Sequence, residues 1–264
     1  GKKTVLFGPR NFGKTSLVKN SVIPAFKRKN KQSFVFFADL LEVKDAEQLA
    51  LRLLRAFEQS FAESFPVKGF LEQVKSFVTG ARPEISIDPL TSLPSLSLKF
   101  PDDNKHPRVE QIFGLIRDIA VKVKTLVVID EFQDVAFVEG AQAMFRNALE
   151  SCADIPVVLL GSKKHLLSRI FSQHDSPLAF WGEDIEFKPI DYRDYHAYIS
   201  ERFEQKNIRI DFETAVYLQD LLWRIPEPVN IVASHILENN SNCTVSSGLV
   251  RLSIKSVLDN RESR

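Results

Sequence analysis

Eight residues, Gly8-Pro9-Arg10-Asn11-Phe12-Gly13-Lys14-Thr15, match the pattern G-x-x-x-x-G-K-[ST] in full, and no other stretch limits the fold as tightly. The pattern works only where a strand runs into the first glycine and a helix leaves the lysine. Both conditions are met: residues 4–7 (Thr-Val-Leu-Phe) are apolar and β-rich, and Leu17, Val18 and Val22 follow Lys14 at helical spacing towards Pro24. Gly8 and Gly13 allow the backbone to turn successive N–H groups onto one anion. The helix that starts at Lys14 points its positive end at the same place. Lys14 can reach the outer phosphates of a nucleotide, and the Thr15 hydroxyl can ligate Mg²⁺. Residues Gly8, Pro9, Arg10, Asn11, Phe12, Gly13, Lys14, Thr15 and Ser16 are therefore expected to form the nucleotide contact.

Further apolar runs at 33–38, 125–129, 156–160 and 185–187 read as strands, mostly apolar on both faces as in a buried parallel sheet. Helical spacing occurs between them, at 45–63, 67–78, a stretch opened by Pro107, 140–152 and 164–172. A basic run, Lys27 to Lys31, is expected to be a loop. Alternation at Ile85, Ile87, Leu96, Leu98 and Phe100 predicts a hairpin or extended insertion at about 80–105. After Pro189 only helical patterns remain, at 191–205, 211–224, 228–238 and 245–259. The expected architecture is an α/β core over 1–190 and a helical unit over 191–264.

A second chemical signal lies far from the first. Asp130 ends the apolar run 125–129 and Glu131 follows it. An Asp at the end of a core strand can hold Mg²⁺, and a neighbouring carboxylate can orient and deprotonate an attacking water. An Asp-Glu pair after a strand is alone no more than a solvated turn or a cap; the glycine loop gives it a partner. Ser162, just past the fourth strand, falls on the same sheet edge. It could sense the γ-phosphate or hold the water, or it could be the N-cap of the helix at 164–172, and the residues leave that choice open. Arg10, Arg146 and Arg169 are candidates for phosphate or subunit contacts, with surface salt bridges as the alternative.

With 35 Lys and Arg against 34 Asp and Glu, the chain is no uniformly basic nucleic-acid binder. Cys152 and Cys243 have neither metal nor redox spacing, which fits a reduced cytoplasmic setting, and the five histidines have no metal spacing either. No apolar run approaches the ~20 residues of a membrane-spanning helix. The first strand begins almost at Gly1, with no initiator methionine, so the sequence reads as part of a longer chain.

The segments LFGPRNFGKTSL, VVIDEFQD, VVLLGSKKHLL and SPLAFWGEDIEFKPI resemble the archaeal-type P-loop ATPase family. That family belongs to the additional-strand class, near the STAND and origin-recognition AAA+ ATPases. The resemblance runs from about residue 4 to about 240. It implies a three-layer α/β/α core with a parallel sheet in the order 5-1-4-3-2, Asp130 and Ser162 on strands adjoining the loop strand, and a C-terminal helical lid over the nucleotide. It also implies ATP with Mg²⁺: Lys14, Glu131 and Ser162 in catalysis, Thr15 and Asp130 on the metal. No guanine-reading run is present. The implied activity is ATP hydrolysis coupled to a switch acting on a protein partner, a second copy, or DNA through a domain outside this chain. Departures from the family pattern are Trp181-Gly182-Glu183 where many members carry an arginine, Arg224-Ile225-Pro226 where a glycine usually precedes the proline, a start too late to show the segment that helps hold the base, and an end at Arg264 before the winged-helix domain that often follows the lid. The first of these leaves open a nucleotide-gated scaffold with little turnover.

Overall fold

The computed structural model describes residues 1–65, 82–87, 94–99 and 109–262. The helix expected at 67–78, Phe100 and Pro107 lie outside them. Two compact units divide the chain, one formed by Gly1–Pro9 and Lys14–Glu186, the other by Arg10–Gly13 and Phe187–Arg264.

The first unit begins with β1 (Lys3–Phe7) and the glycine loop, then α1 (Lys14–Leu17). A π turn over Val18–Val22 joins α1 to α2 (Ile23–Lys29), so the helix continues past Pro24. Pro24 has no N–H for the carbonyl four residues back, and its ring crowds that carbonyl. The preceding turn is widened instead, with the Ile23 N–H reaching the Val18 carbonyl. Lys27, Arg28 and Lys29 form the last turn of α2, where cations oppose the helix dipole; they are not in a loop.

β2 (Ser33–Asp39) and α3 (Ala46–Ser64) follow, then β3 (Arg82–Ile87) and β4 (Pro94–Lys99), an antiparallel pair with Ile85 opposite Leu96. This is the expected hairpin. The rest of the unit comprises α4 (Val109–Lys122), β5 (Lys124–Asp130), a 3₁₀ helix (Phe132–Phe137), α5 (Ala141–Ser151), β6 (Val157–Gly161), α6 (Lys164–Phe171) and β7 (Glu183–Glu186).

The five core strands are parallel in the order β2-β5-β6-β1-β7. Counted along the chain without the hairpin, this is 5-1-4-3-2. One detail of the expectation is corrected: β6 adjoins β1, but β5 is one strand further away, so Asp130 is not on a neighbour of the loop strand. The connection from β1 crosses the sheet to β2, and the connection from its neighbour β6 crosses the other way to β7, which opens a crevice at the carboxyl ends of these strands.

Aromatic rings fill the interior. Phe34 on β2 lies 5.8 Å from Phe57 and 6.4 Å from Phe61 of α3, measured between ring centroids, and all three rings are fully buried. The stripe Leu49, Leu53, Phe57, Phe61 recurs every four residues and turns one face of α3 to the sheet. The helix is started by Asp45, whose carboxylate accepts the Gln48 N–H at 2.8 Å. Truncating a buried phenylalanine costs about 3–5 kcal/mol. Phe57→Ala is thus expected to lower the thermal midpoint by roughly 6–20 °C; calorimetry checks it.

The second unit carries α7 (Tyr192–Glu204), α8 (Phe212–Leu221), α9 (Pro226–Asn239) and α10 (Ser247–Glu262). Asp191 and Asp211 cap α7 and α8, and Pro226 opens α9 at a position that needs no N–H. Its core gathers Ile199, Phe203, Leu218, Val229, Ile236 and Val250. A single parallel bridge, Arg209 to Thr244, is a contact that helical periodicity could not announce. Tyr195 is buried and hydrogen-bonds the Pro226 carbonyl at 3.0 Å, and burial raises its pKa. Trp223 and Arg224 both adopt left-handed backbone (φ 57° and 56°), the conformation glycine takes most easily. Arg224 is held there by its bond to the Ile190 carbonyl at 2.6 Å and by the Tyr192 ring 3.9 Å below its guanidinium. The glycine expected near Pro226 is absent, yet its backbone conformation is present.

Candidate functional site

The loop after β1 turns at Asn11 (φ 62°) and Gly13 (φ 86°), both left-handed. A Cβ on Gly13 would meet nothing within 4 Å, so the glycine is needed for its dihedral and not for space. The Gly8 N–H donates to the Gly161 carbonyl at 3.3 Å and ties the ends of β1 and β6 together. The Lys14 ammonium is buried and donates to the carbonyls of Gly8 (2.8 Å) and Pro9 (2.7 Å), which fixes it against the loop.

Thr15, one residue into α1, donates its hydroxyl to Asp130 Oδ2 at 2.5 Å across 115 residues of sequence. Asp130 is only 5 % exposed. Burial pushes its carboxyl pKa up, and the charges of Asp39 and Glu131 add to this; bonds from the Thr15 hydroxyl and the Glu131 N–H oppose the rise. Asp39 stands opposite Asp130 in the β2–β5 register, so negative charge is concentrated here. A buried carboxylate beside a hydroxyl and further carboxylates is a hard-oxygen set that suits a small divalent cation. Among the described residues no three His, Cys, Asp or Glu side chains converge on one metal position.

Glu131 begins the 3₁₀ helix in left-handed backbone (φ 50°, ψ 40°), a sharp corner immediately after the strand. Its N–H donates to Asp130 Oδ1 at 2.9 Å. The Ser162 hydroxyl donates to Glu131 Oε2 at 2.9 Å. The N-cap of α6 is Lys163, so Ser162 does not cap that helix; its side chain bonds Glu131 instead.

Two polar residues that the sequence reading passed over lie beneath this group. Gln133 is fully buried; its amide donates to Glu131 Oε2 at 2.5 Å and accepts the Ser162 N–H at 3.1 Å. Asp134, also buried, pairs with Lys163 at 3.2 Å and accepts the Glu42 N–H at 2.8 Å. The only available signal was the pair of polar residues within an otherwise apolar run, Phe132-Gln133-Asp134-Val135. Arg146 pairs with Glu150 on its own helix and with the Pro177 carbonyl.

No protein-family model matches the chain, and no curated protein sequence matches it. Solved structures do. The Walker-type ATPase Paby2304 of Pyrococcus abyssi superposes with a TM-score of 0.62 at 19% identity, over 99% of this chain and 68% of that one. The Aeropyrum pernix ORC2 protein, solved in ADPNP-ADP complexes, gives 0.57 at 13% identity, over 97% of this chain and 62% of its own. The ORC1 protein of the same organism, solved with DNA, gives 0.55 at 12%, over 97% and 59%. The chain therefore spans about six tenths of the ORC proteins. Among the described residues no helix is long and apolar enough to cross a membrane. With the 5-1-4-3-2 sheet and its glycine loop, these likenesses establish that the chain has the fold of the archaeal Walker-type and origin-recognition P-loop ATPases.

Proposed function

We propose that the chain binds Mg-ATP on the loop Gly8–Thr15 and hydrolyses it. The observation that carries this reading is the 2.5 Å bond between Thr15 and Asp130, which brings two independent sequence signals to one point. Lys14 supplies a fixed positive charge for the outer phosphates. Thr15 and Asp130 hold Mg²⁺, which when bound neutralises charge on the phosphate oxygens. Glu131 orients the attacking water and takes its proton, and Ser162 holds the Glu131 carboxylate in place. The ADPNP and ADP carried by the Aeropyrum pernix ORC2 protein support an adenine ligand. Hydrolysis drives a switch in which the helical unit, as a lid, alters a contact with a protein partner, another copy or DNA; ordering of loops by a γ-phosphate is the physical route. The setting is cytoplasmic, which the two free cysteines support.

A second reading, a nucleotide-gated scaffold with little turnover, draws support from Trp181-Gly182-Glu183, which stands where the resemblance calls for an arginine, the cation that accelerates phosphoryl transfer by ~10³–10⁵.

Titration with a fluorescent ATP analogue, with and without Mg²⁺, tests the binding step. Tight binding that weakens at least about tenfold when EDTA removes the metal is the expected result. Affinity indifferent to Mg²⁺ would remove Thr15 and Asp130 from the site.

A further inference from the structure

We propose that Gln133 is a positioning residue that aims the Glu131 carboxylate; the proposal rests on Glu131 acting on the attacking water. Glu131 sits at a left-handed corner at the end of a strand, where its side chain needs anchoring to hold one rotamer. The Gln133 amide supplies that anchor from the fully buried side, at 2.5 Å. Its donation and that of Ser162 fall on the same oxygen, Oε2. The carboxylate is thereby held by one oxygen, and the other is the one that takes the proton from water.

The amide cannot turn over. Its Nε2 faces two carboxylates, Glu131 Oε2 and Asp134 Oδ1 (3.3 Å), while its Oε1 faces the Ser162 N–H. A flipped amide would set oxygen against two acceptors and nitrogen against a donor. Asp134 is fixed in turn by Lys163 and by the Glu42 N–H. Gln133 thus reads the position of the β6 end through Ser162 and passes it to Glu131.

Gly161 gives independent support. A Cβ there would lie 2.6 Å from Gln133 Oε1 and 2.6 Å from Leu167 Cδ1. Its φ is not left-handed, so what this glycine provides is room for the amide.

The test compares Gln133→Met, which keeps the volume, and Gln133→Asn, which keeps the amide but is too short to reach. Steady-state phosphate release gives kcat and KM for Mg-ATP, and titration with the fluorescent analogue gives the dissociation constant and the number of sites. A misplaced reacting group costs up to about 10² in rate. The expected result is a loss of kcat of about tenfold to 10²-fold in both variants, with nucleotide affinity and stoichiometry within about twofold of wild type. In single-turnover assays, either change added to Glu131→Gln is expected to cause no further loss, because Gln133 acts through Glu131. If Gln133→Met fails to fold, Gln133→Asn carries the test. Wild-type kcat in the variants, loss of affinity in step with rate, or an equal loss in the Glu131→Gln background overturns the proposal alone. A wild-type protein that binds ATP and never turns over overturns both the proposal and the hydrolytic reading.

Discussion

Glu131→Gln is expected to leave ATP bound and to reduce kcat by at least about 10²-fold. The substitution keeps the shape of the side chain and its acceptance of the Ser162 hydroxyl, but an amide cannot take a proton from water. Affinity for Mg-ATP is expected to stay within a few-fold of wild type, because Lys14, Thr15 and Asp130 are untouched. Phosphate release measured beside analogue titration separates the two quantities. A drop in affinity with kcat preserved would mean that Glu131 contributes to holding nucleotide and not to the chemistry.

Lys14→Ala is the second large effect, and it acts on binding. Hydrogen bonds to a charged group are worth about 1.5–3 kcal/mol each. Losing one or two of them to phosphate weakens ATP by roughly 10²-fold or more. The buried ammonium also bonds the Gly8 and Pro9 carbonyls, so its removal loosens the loop itself. Thermal midpoints without nucleotide distinguish the two contributions. A change of a few degrees is expected there, with a near-complete loss of the stabilisation that ATP confers. ATP stabilisation equal to wild type would show that the nucleotide binds elsewhere.

Much of this was legible in the residues because the motifs carry their own context. The glycine loop demanded a strand before Gly8 and a helix from Lys14, and both are there. The buried runs 33–38, 125–129 and 156–160 announced parallel strands, since a strand covered on both faces has no polar face to alternate. The final strand was placed two residues late: Glu183–Glu186 is an edge strand of mostly charged residues, exposed along its length, so apolar content pointed to its end and not to its start. Asp130 and Glu131 stood out as carboxylates at the end of an apolar run. The bond between Asp130 and Thr15 did not, because nothing in a linear sequence measures a distance across 115 residues.

What the residues hid has a common cause. Gln133 and Asp134 interrupt an apolar run, and local pattern cannot distinguish a buried, fully partnered amide from a solvated one. Their partners come from two other segments, at Glu42 and at Ser162-Lys163. Gly161 reads as a strand-end turn residue, and only the approach of Gln133 Oε1 reveals that space is what it supplies. The π turn before Pro24 was likewise invisible, because helical periodicity continues through it while the hydrogen-bond ladder shifts by one residue.

The most direct test of the central claim is steady-state phosphate release from Mg-ATP over a range of protein concentrations. Many turnovers per protein molecule are predicted; a rate per molecule that rises with concentration would add that a second copy supplies a transition-state cation. Release that stops at one equivalent or less at every concentration, with ATP still bound, would contradict hydrolysis as the function and leave the nucleotide-gated scaffold in its place.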